Sequence, residues 1–172
     1  MSPYVLGAVA LSAAAALTSL REAPTRPAPL RAAAQPTYAW PVEGPVLRPF
    51  EAPAGPFGPG HRGIDIGAAV GTPVRAAQAG TVAFAGTIAG ERFVSLDHPD
   101  GVRTTYSFLA GVAVAKGDEV ARRQVIGSSG LGHEGSGSAH LHLGARIAGA
   151  YIDPMILLEP RTVSGLVHLA PL

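Results

Sequence analysis

Two short histidine patterns contain the residues best suited to bind a metal ion. The first is His61-Arg-Gly-Ile-Asp65, in which a histidine and a carboxylate lie four residues apart, and the second is His140-Leu-His142. Flanking glycines disfavour a helix around the first pattern, so we expect an extended segment in which residues spaced by two or four share one face. Two histidines and one carboxylate from two strands would make a three-ligand zinc site with an open position for water, which is typical of catalytic zinc.

The composition narrows the chemistry that the chain can perform. The 172 residues include no cysteine, so disulfides and thiolate metal sites are excluded and a metal must bind to histidine and carboxylate. The formal net charge is +1 with the basic residues spread along the chain, so no nucleic-acid partner is expected. The 22 glycines and 16 prolines favour short strands joined by tight turns.

Short segments of alternating apolar and polar residues predict the strands that hold these patterns. The sequence His98-Pro-Asp-Gly101 predicts a hairpin turn between two of them, and the set as a whole predicts an all-β domain. The predicted elements are a first strand within residues 38–50, strands at 80–86, 92–97, 102–109, 124–127, 140–147 and 163–169, and a helical turn at 153–158.

The chain divides into three segments. Residues 1–20 contain the nearly uncharged run from Tyr4 to Leu20, whose length predicts a signal peptide or a membrane anchor, although basic residues follow this run rather than precede it. Residues 21–37 are rich in proline and alanine and are interpreted as a linker. Residues 38–172 form the predicted β domain. Export or membrane anchoring through the first segment predicts an extracytoplasmic location in the cell envelope.

Four segments resemble, in the same order, the motifs of the lysostaphin/LytM-type zinc metallopeptidases of the bacterial cell wall. The resemblance covers about residues 40–158 and implies a twisted antiparallel β-sheet core with a groove that binds peptidoglycan peptide. It also implies that His61, Asp65 and His142 bind Zn²⁺ and that His140 is the general base. In that chemistry zinc lowers the pKa of bound water to about 7 and polarises a carbonyl, while the base moves the proton. The four segments are GHRGIDIGAAVGTPVRAAQAGTV, VSLDHPDG, VAKGDEVARRQVIGSSG and SAHLHLGAR.

The sequence departs from the family at one catalytic position. The family carries a second histidine in a Y-x-H-L motif, which here reads Tyr106-Ser-Phe108-Leu109. Phenylalanine cannot donate a hydrogen bond, and the loss of one oxyanion donor costs about a hundred- to a thousandfold in rate. Tyr106, and His133 and Glu134 in the segment GLGHEGSGSA, are candidates for an auxiliary role in its place.

Two functions are consistent with these residues. The first is a monomeric zinc metalloendopeptidase that hydrolyses peptide bonds of peptidoglycan, which the complete ligand set favours. The second is a catalytically silent or weak peptidoglycan-binding domain, or a hydrolase activator, that keeps the zinc site, which Phe108 favours. Metal content and the release of wall peptides distinguish the two.

Overall fold

The strands predicted between residues 38 and 147 are present in the computed structural model, which describes residues 38–55 and 58–160. This part of the chain contains ten strands and one short 3₁₀-helix but no α-helix, so the all-β prediction is confirmed. Nor does it contain a helix long and apolar enough to span a membrane. The predicted leader, linker and strand at 163–169 lie outside these residues. The elements are β1 Val46–Arg48, β2 Ile64–Gly67, β3 Pro73–Arg75, β4 Gly80–Ile88, β5 Glu91–Asp97, β6 Val102–Val112, β7 Glu119–Val120, β8 Val125–Ser129, β9 His140–Ile147, β10 Ala150–Ile152 and the 3₁₀-helix Pro154–Ile156.

All ten strands belong to one antiparallel sheet whose main path is β1-β2-β9-β6-β5-β4-β7. β10 pairs with β9, while β8 pairs with β6 and with β3. The predicted hairpin joins β5 to β6: the N–H of Gly101, at φ +83°, donates to the carbonyl of His98 over 3.0 Å. β9 therefore lies in the middle of the sheet, between β2 and β6.

The two faces of the central strands differ in chemistry because side chains alternate along a strand. Ile64 and Ile66 of β2 and Leu141 and Leu143 of β9 are buried in the hydrophobic core. Each residue between or beside them is turned to the opposite face, which receives Asp65 from β2 and both histidines of β9. Packing of the apolar set thus fixes where the polar set lies.

The histidine at the start of the turn between β5 and β6 is buried and has a partner for each ring nitrogen. His98 is buried, its Nδ1 lies 2.9 Å from the carbonyl oxygen of Ala79 and its Nε2 lies 2.8 Å from the hydroxyl of Thr104. With the proton on Nδ1, both ring nitrogens of the neutral imidazole are satisfied. Burial lowers the pKa of His98 below its ordinary value, against the hydrogen bond to Ala79.

The prediction of one extended segment from His61 to Asp65 is wrong. β2 begins only at Ile64, and His61 precedes it in an isolated bridge with Glu51. Between them the chain bends at Gly63, where a Cβ atom would lie 2.7 Å from Nε2 of His142. The segment from His61 to Asp65 approaches β9 so closely that a glycine is needed at this position. The bend at Gly63, and not strand alternation, brings His61 to the site.

Candidate metal centre

Three predicted side chains meet at the face of β2 and β9. Nε2 of His61 and Nδ1 of His142 lie 3.1 and 2.8 Å from the same carboxylate oxygen, Oδ1 of Asp65. The two imidazole nitrogens are 3.1 Å from each other. His61 and Asp65 are buried and His142 is half-buried. One carboxylate oxygen and two ring nitrogens therefore form a compact triangle with the dimensions of a metal-ligand set.

Strand register and one backbone contact hold this triangle. Asp65 and His142 are direct partners in the antiparallel pairing of β2 with β9, which keeps their Cβ atoms about 4.5–5.5 Å apart. Nδ1 of His61 lies 2.7 Å from the carbonyl oxygen of Pro49. A carbonyl oxygen only accepts, so Nδ1 of His61 carries a proton and Nε2 is the ring nitrogen directed at the site.

The carboxyl group of Asp65 is ionised. Burial alone would raise its pKa, but the hydrogen bond with His142 and the charges of the surrounding imidazoles outweigh burial and hold the pKa well below its usual range. The acid that joins the histidines is therefore a hydrogen-bond acceptor only.

His140 is brought to the same site but differs from its neighbours. Its Nδ1 lies 2.9 Å from the carbonyl oxygen of Ser138, and its Nε2 lies 3.7 Å from Oδ1 of Asp65, beyond hydrogen-bond distance. This Nε2 is a buried side-chain nitrogen with no hydrogen-bond partner among the described residues. Its side chain is only 1% exposed. An imidazole with an unused nitrogen thus faces the triangle without belonging to it.

The three auxiliary candidates have different positions. Nε2 of His133 lies 3.2 Å from Oδ2 of Asp65, so the structure joins His133 to the cluster. Glu134 is exposed and belongs to neither of the described histidine–carboxylate groups. Tyr106 is fully buried, its hydroxyl accepts a hydrogen bond from the backbone N–H of Ala77 over 2.7 Å, and burial raises its pKa to about 12. Its hydroxyl is used in the core.

Phe108 faces the histidines from a bulge in β6. β5 pairs with Ser107 and Leu109 but not with the residue between them, and Phe108 has φ +61°. This left-handed conformation is an outlier for a bulky residue, and bulges beside functional sites redirect a side chain. The Phe108 ring centroid lies 6.2 Å from that of His142 and 5.9 Å from that of His133.

A cleft of about 430 Å³ opens beside the triangle and contains residues that the sequence patterns missed. Arg62 and Arg146 both pack on the ring of Tyr151, with guanidinium carbons 5.7 and 5.3 Å from its centroid. Arg146 shares the β9 face with His142 by strand alternation, so an expected strand could have indicated it. Tyr151 carries no comparable signal. A second cleft, of about 810 Å³, shares the lining residues His133 and Phe108 with the first.

The sequence profile of Peptidase family M23 matches residues 59–154, which include every residue of this cluster. The match spans more than half of the chain, and the chain belongs to this family. The expected lysostaphin-type fold is confirmed.

Curated relatives match most of the described domain. An uncharacterized protein of Mycobacterium tuberculosis is 42% identical over 140 residues, which are 77% of this chain and 54% of that protein. The DD-carboxypeptidase/endopeptidase Mpg of Neisseria gonorrhoeae is 39% identical over 58% of this chain and 23% of its own length. The murein hydrolase activator NlpD of Escherichia coli is 31% identical over 73% of this chain and 32% of its own length. This chain thus spans about half or less of these relatives.

Solved structures share the same architecture. The catalytic domain of lysostaphin from Staphylococcus simulans superposes with a TM-score of 0.53 and 32% identity over 66% of this chain and 88% of that one. A chain of the SpoIIQ–SpoIIIAH pore-forming complex gives a TM-score of 0.62 and 27% identity over 73% of this chain and 93% of that one. Proteins similar to this chain therefore include a peptidase, a hydrolase activator and a chain of a pore-forming complex, so similarity alone does not choose between these functions.

Proposed function

We propose that this chain is a zinc metalloendopeptidase that hydrolyses peptide bonds of bacterial peptidoglycan. In this proposal His61, Asp65 and His142 hold the zinc ion and His140 is the general base. The observation that carries it is the triangle of donor atoms, with sides of 2.8 to 3.1 Å, next to the unpartnered Nε2 of His140.

The donor atoms fit a cation. Nε2 of His61 is the ring nitrogen directed at the site, because the proton on Nδ1 is held by Pro49. That nitrogen lies 3.1 Å from Oδ1 of Asp65 and 3.1 Å from Nδ1 of His142, so three atoms that can ligate a cation converge at one place. Two imidazoles and one carboxylate are the ligands of many catalytic zinc sites, and a chain without cysteine supports no thiolate alternative.

When bound, zinc supplies a Lewis acid that polarises a carbonyl group and acidifies water. His140 supplies the proton transfer. The carbonyl of Ser138 holds the proton of His140 on Nδ1, which leaves Nε2 as a proton acceptor directed at the cluster. From there it can accept a proton from the attacking water and return it to the leaving amine.

The surroundings of the cluster suit an extended peptide. His133 and Phe108 line both clefts, and the first cleft is also lined by His61 and His142, so a chain segment in it would lie against two of the three donor residues. Peptidoglycan as substrate is supported by family membership and by the likeness to a DD-carboxypeptidase/endopeptidase. An extracytoplasmic location, anchoring or cleavage at residues 1–20 and a monomeric state complete the proposal and rest on the sequence.

One observation favours a second function, in which the domain keeps zinc but binds wall peptide or activates a hydrolase. Phe108 stands where the family resemblance expects a hydrogen-bonding histidine, and the ring of His140 is covered. The likeness to a murein hydrolase activator supports the same alternative. Both functions predict zinc binding, and only the first predicts turnover.

Metal content and wall digestion test the two functions together. The purified chain should bind about one zinc ion, as a three-ligand site requires, and His142→Ala should abolish this binding. His98→Asn is the matched control, because it removes a buried histidine that lies outside the cluster. Zinc-loaded protein should release soluble peptides from purified cell walls. A chain that takes up no zinc on titration refutes the site, and a zinc-loaded chain that releases nothing favours the binding domain.

A further inference from the structure

The loop at residues 130–139 carries an imidazole into the cluster from outside the sheet. Nε2 of His133 lies 3.2 Å from Oδ2 of Asp65, the oxygen that the triangle does not use. Nδ1 of His133 lies 3.2 Å from the carbonyl oxygen of Glu134. Both ring nitrogens therefore face oxygen acceptors. The ring centroid of His133 is also 4.8 Å from that of His140, in an edge-to-face arrangement.

His133 is the imidazole of this pair that faces the clefts. Its side chain is 31% exposed, whereas that of His140 is 1% exposed. It lines both clefts, and His140 lines neither. The backbone of Gly132 covers the His140 ring so closely that a Cβ atom there would lie within 2.7 Å of three of its ring atoms. A peptide in the clefts would contact His133.

The hydrogen on His133 points towards the cluster. A carboxylate oxygen accepts hydrogen bonds, so the 3.2 Å contact between Nε2 of His133 and Oδ2 of Asp65 assigns the hydrogen to Nε2. The β6 position that faces the same space holds Phe108, whose ring lies 5.9 Å from that of His133 and has no donor.

We infer that His133 supplies the hydrogen-bond donor that β6 lacks, and that it donates from Nε2 to the carbonyl oxygen of the scissile peptide bond as negative charge develops there. This inference rests on the proposed peptidase function and assigns one further catalytic residue to it. The loop at residues 130–139 thereby does for this chain what the strand position occupied by Phe108 cannot do.

Two substitutions of His133 and one control substitution outside the cluster test the inference. His133→Ala removes the donor and should lower kcat about a hundred- to a thousandfold, the usual effect of losing one oxyanion donor, while KM changes little. His133→Gln retains an N–H at the place of Nε2 and should keep a larger part of kcat. His98→Asn is the control, because the ring of His98 contacts Ala79 and Thr104 and lies outside the cluster and both clefts.

Zinc content, measured on the same proteins without substrate, separates this role from a ligand role. The wild type and the three variants should contain the same amount of zinc and should bind it with the same affinity. If His133→Ala loses zinc, His133 is a ligand or orients Asp65 and the inference fails. If His133→Ala keeps zinc and full kcat, the inference fails while the peptidase function stands. If the wild-type protein binds zinc without any turnover, the peptidase function fails and the inference fails with it.

Discussion

The contact between Gly132 and His140 leads to a prediction in which two alanine substitutions of the same kind have different effects. Gly132 and Gly135 lie three residues apart in the loop at residues 130–139, with φ +87° and +78°. Alanine costs about 1–2 kcal/mol in this left-handed region. Both substitutions should therefore lower the free energy of unfolding by about that amount, which chemical denaturation measures.

The two positions differ in what the new methyl group meets. At Gly135 no atom lies within 4 Å, whereas at Gly132 three ring atoms of His140 lie within 2.7 Å. Ordinary contact between carbon atoms needs about 3.5 Å, so the Gly132 backbone or the buried ring must move by about 1 Å. A misplacement of about 1 Å can cost about a hundredfold in rate. Gly132→Ala should lose about that factor in kcat, and Gly135→Ala should keep kcat within about threefold.

Peptide release from cell walls measures the rates, and the ¹⁵N signals of the His140 imidazole report the displacement without turnover. The signals should shift in Gly132→Ala and stay in place in Gly135→Ala, while zinc content is the same in both. Equal rates and equal His140 signals in the two variants would show that the loop backbone does not hold His140, and would refute the reasoning.

Three further outcomes are expected. Tyr106→Phe leaves the buried N–H of Ala77 without an acceptor and should lower the free energy of unfolding by about 1–3 kcal/mol, with zinc content unchanged. An auxiliary catalytic role for Tyr106 would instead lower the rate of peptide release. His98→Asn should reduce the pH dependence of stability. Burial lowers the pKa of His98 below its ordinary 6.5, so the unfolded chain takes up this proton first as the pH falls. The wild type therefore loses stability as the pH falls from 6.5 to the lower folded pKa, and this group has no effect on stability above 6.5. Thermal melts of the wild type and of His98→Asn at several pH values measure the difference. Chelation should lower the unfolding temperature reversibly, since zinc at about a hundred times its Kd adds about 2.7 kcal/mol of stability.

The strands were predictable because their signal is local. β9 spans His140–Ile147 as its alternation predicts, and the hairpin between β5 and β6 follows from one turn sequence. The meeting of Asp65 with His142 follows once two strands with polar residues on one face are paired. These parts depend on neighbours in sequence or on a single pairing.

The remaining parts of the site depend on contacts that no local period records. His61 reaches the cluster through a bend at Gly63, not along a strand, and atoms of β9 occupy the space that a side chain at Gly63 would need. Phe108 is directed by a bulge whose register only the full β5–β6 pairing defines. His133 contacts a carboxylate 68 residues earlier in the chain, so its sequence neighbourhood identified a candidate but not its partner.

The central position of β9 separates the cluster into two parts with different rates of local opening. Amides of a strand that is paired on both sides exchange their hydrogens with solvent mainly when the whole domain unfolds, whereas amides of a surface loop exchange through local fluctuations. His140 and His142 are attached to the first kind of segment and His133 to the second. Hydrogen exchange along residues 130–142 should therefore change abruptly at the start of β9. Occupation of the clefts by a peptide should slow exchange on the loop side alone, which gives a measure of substrate binding that requires no turnover.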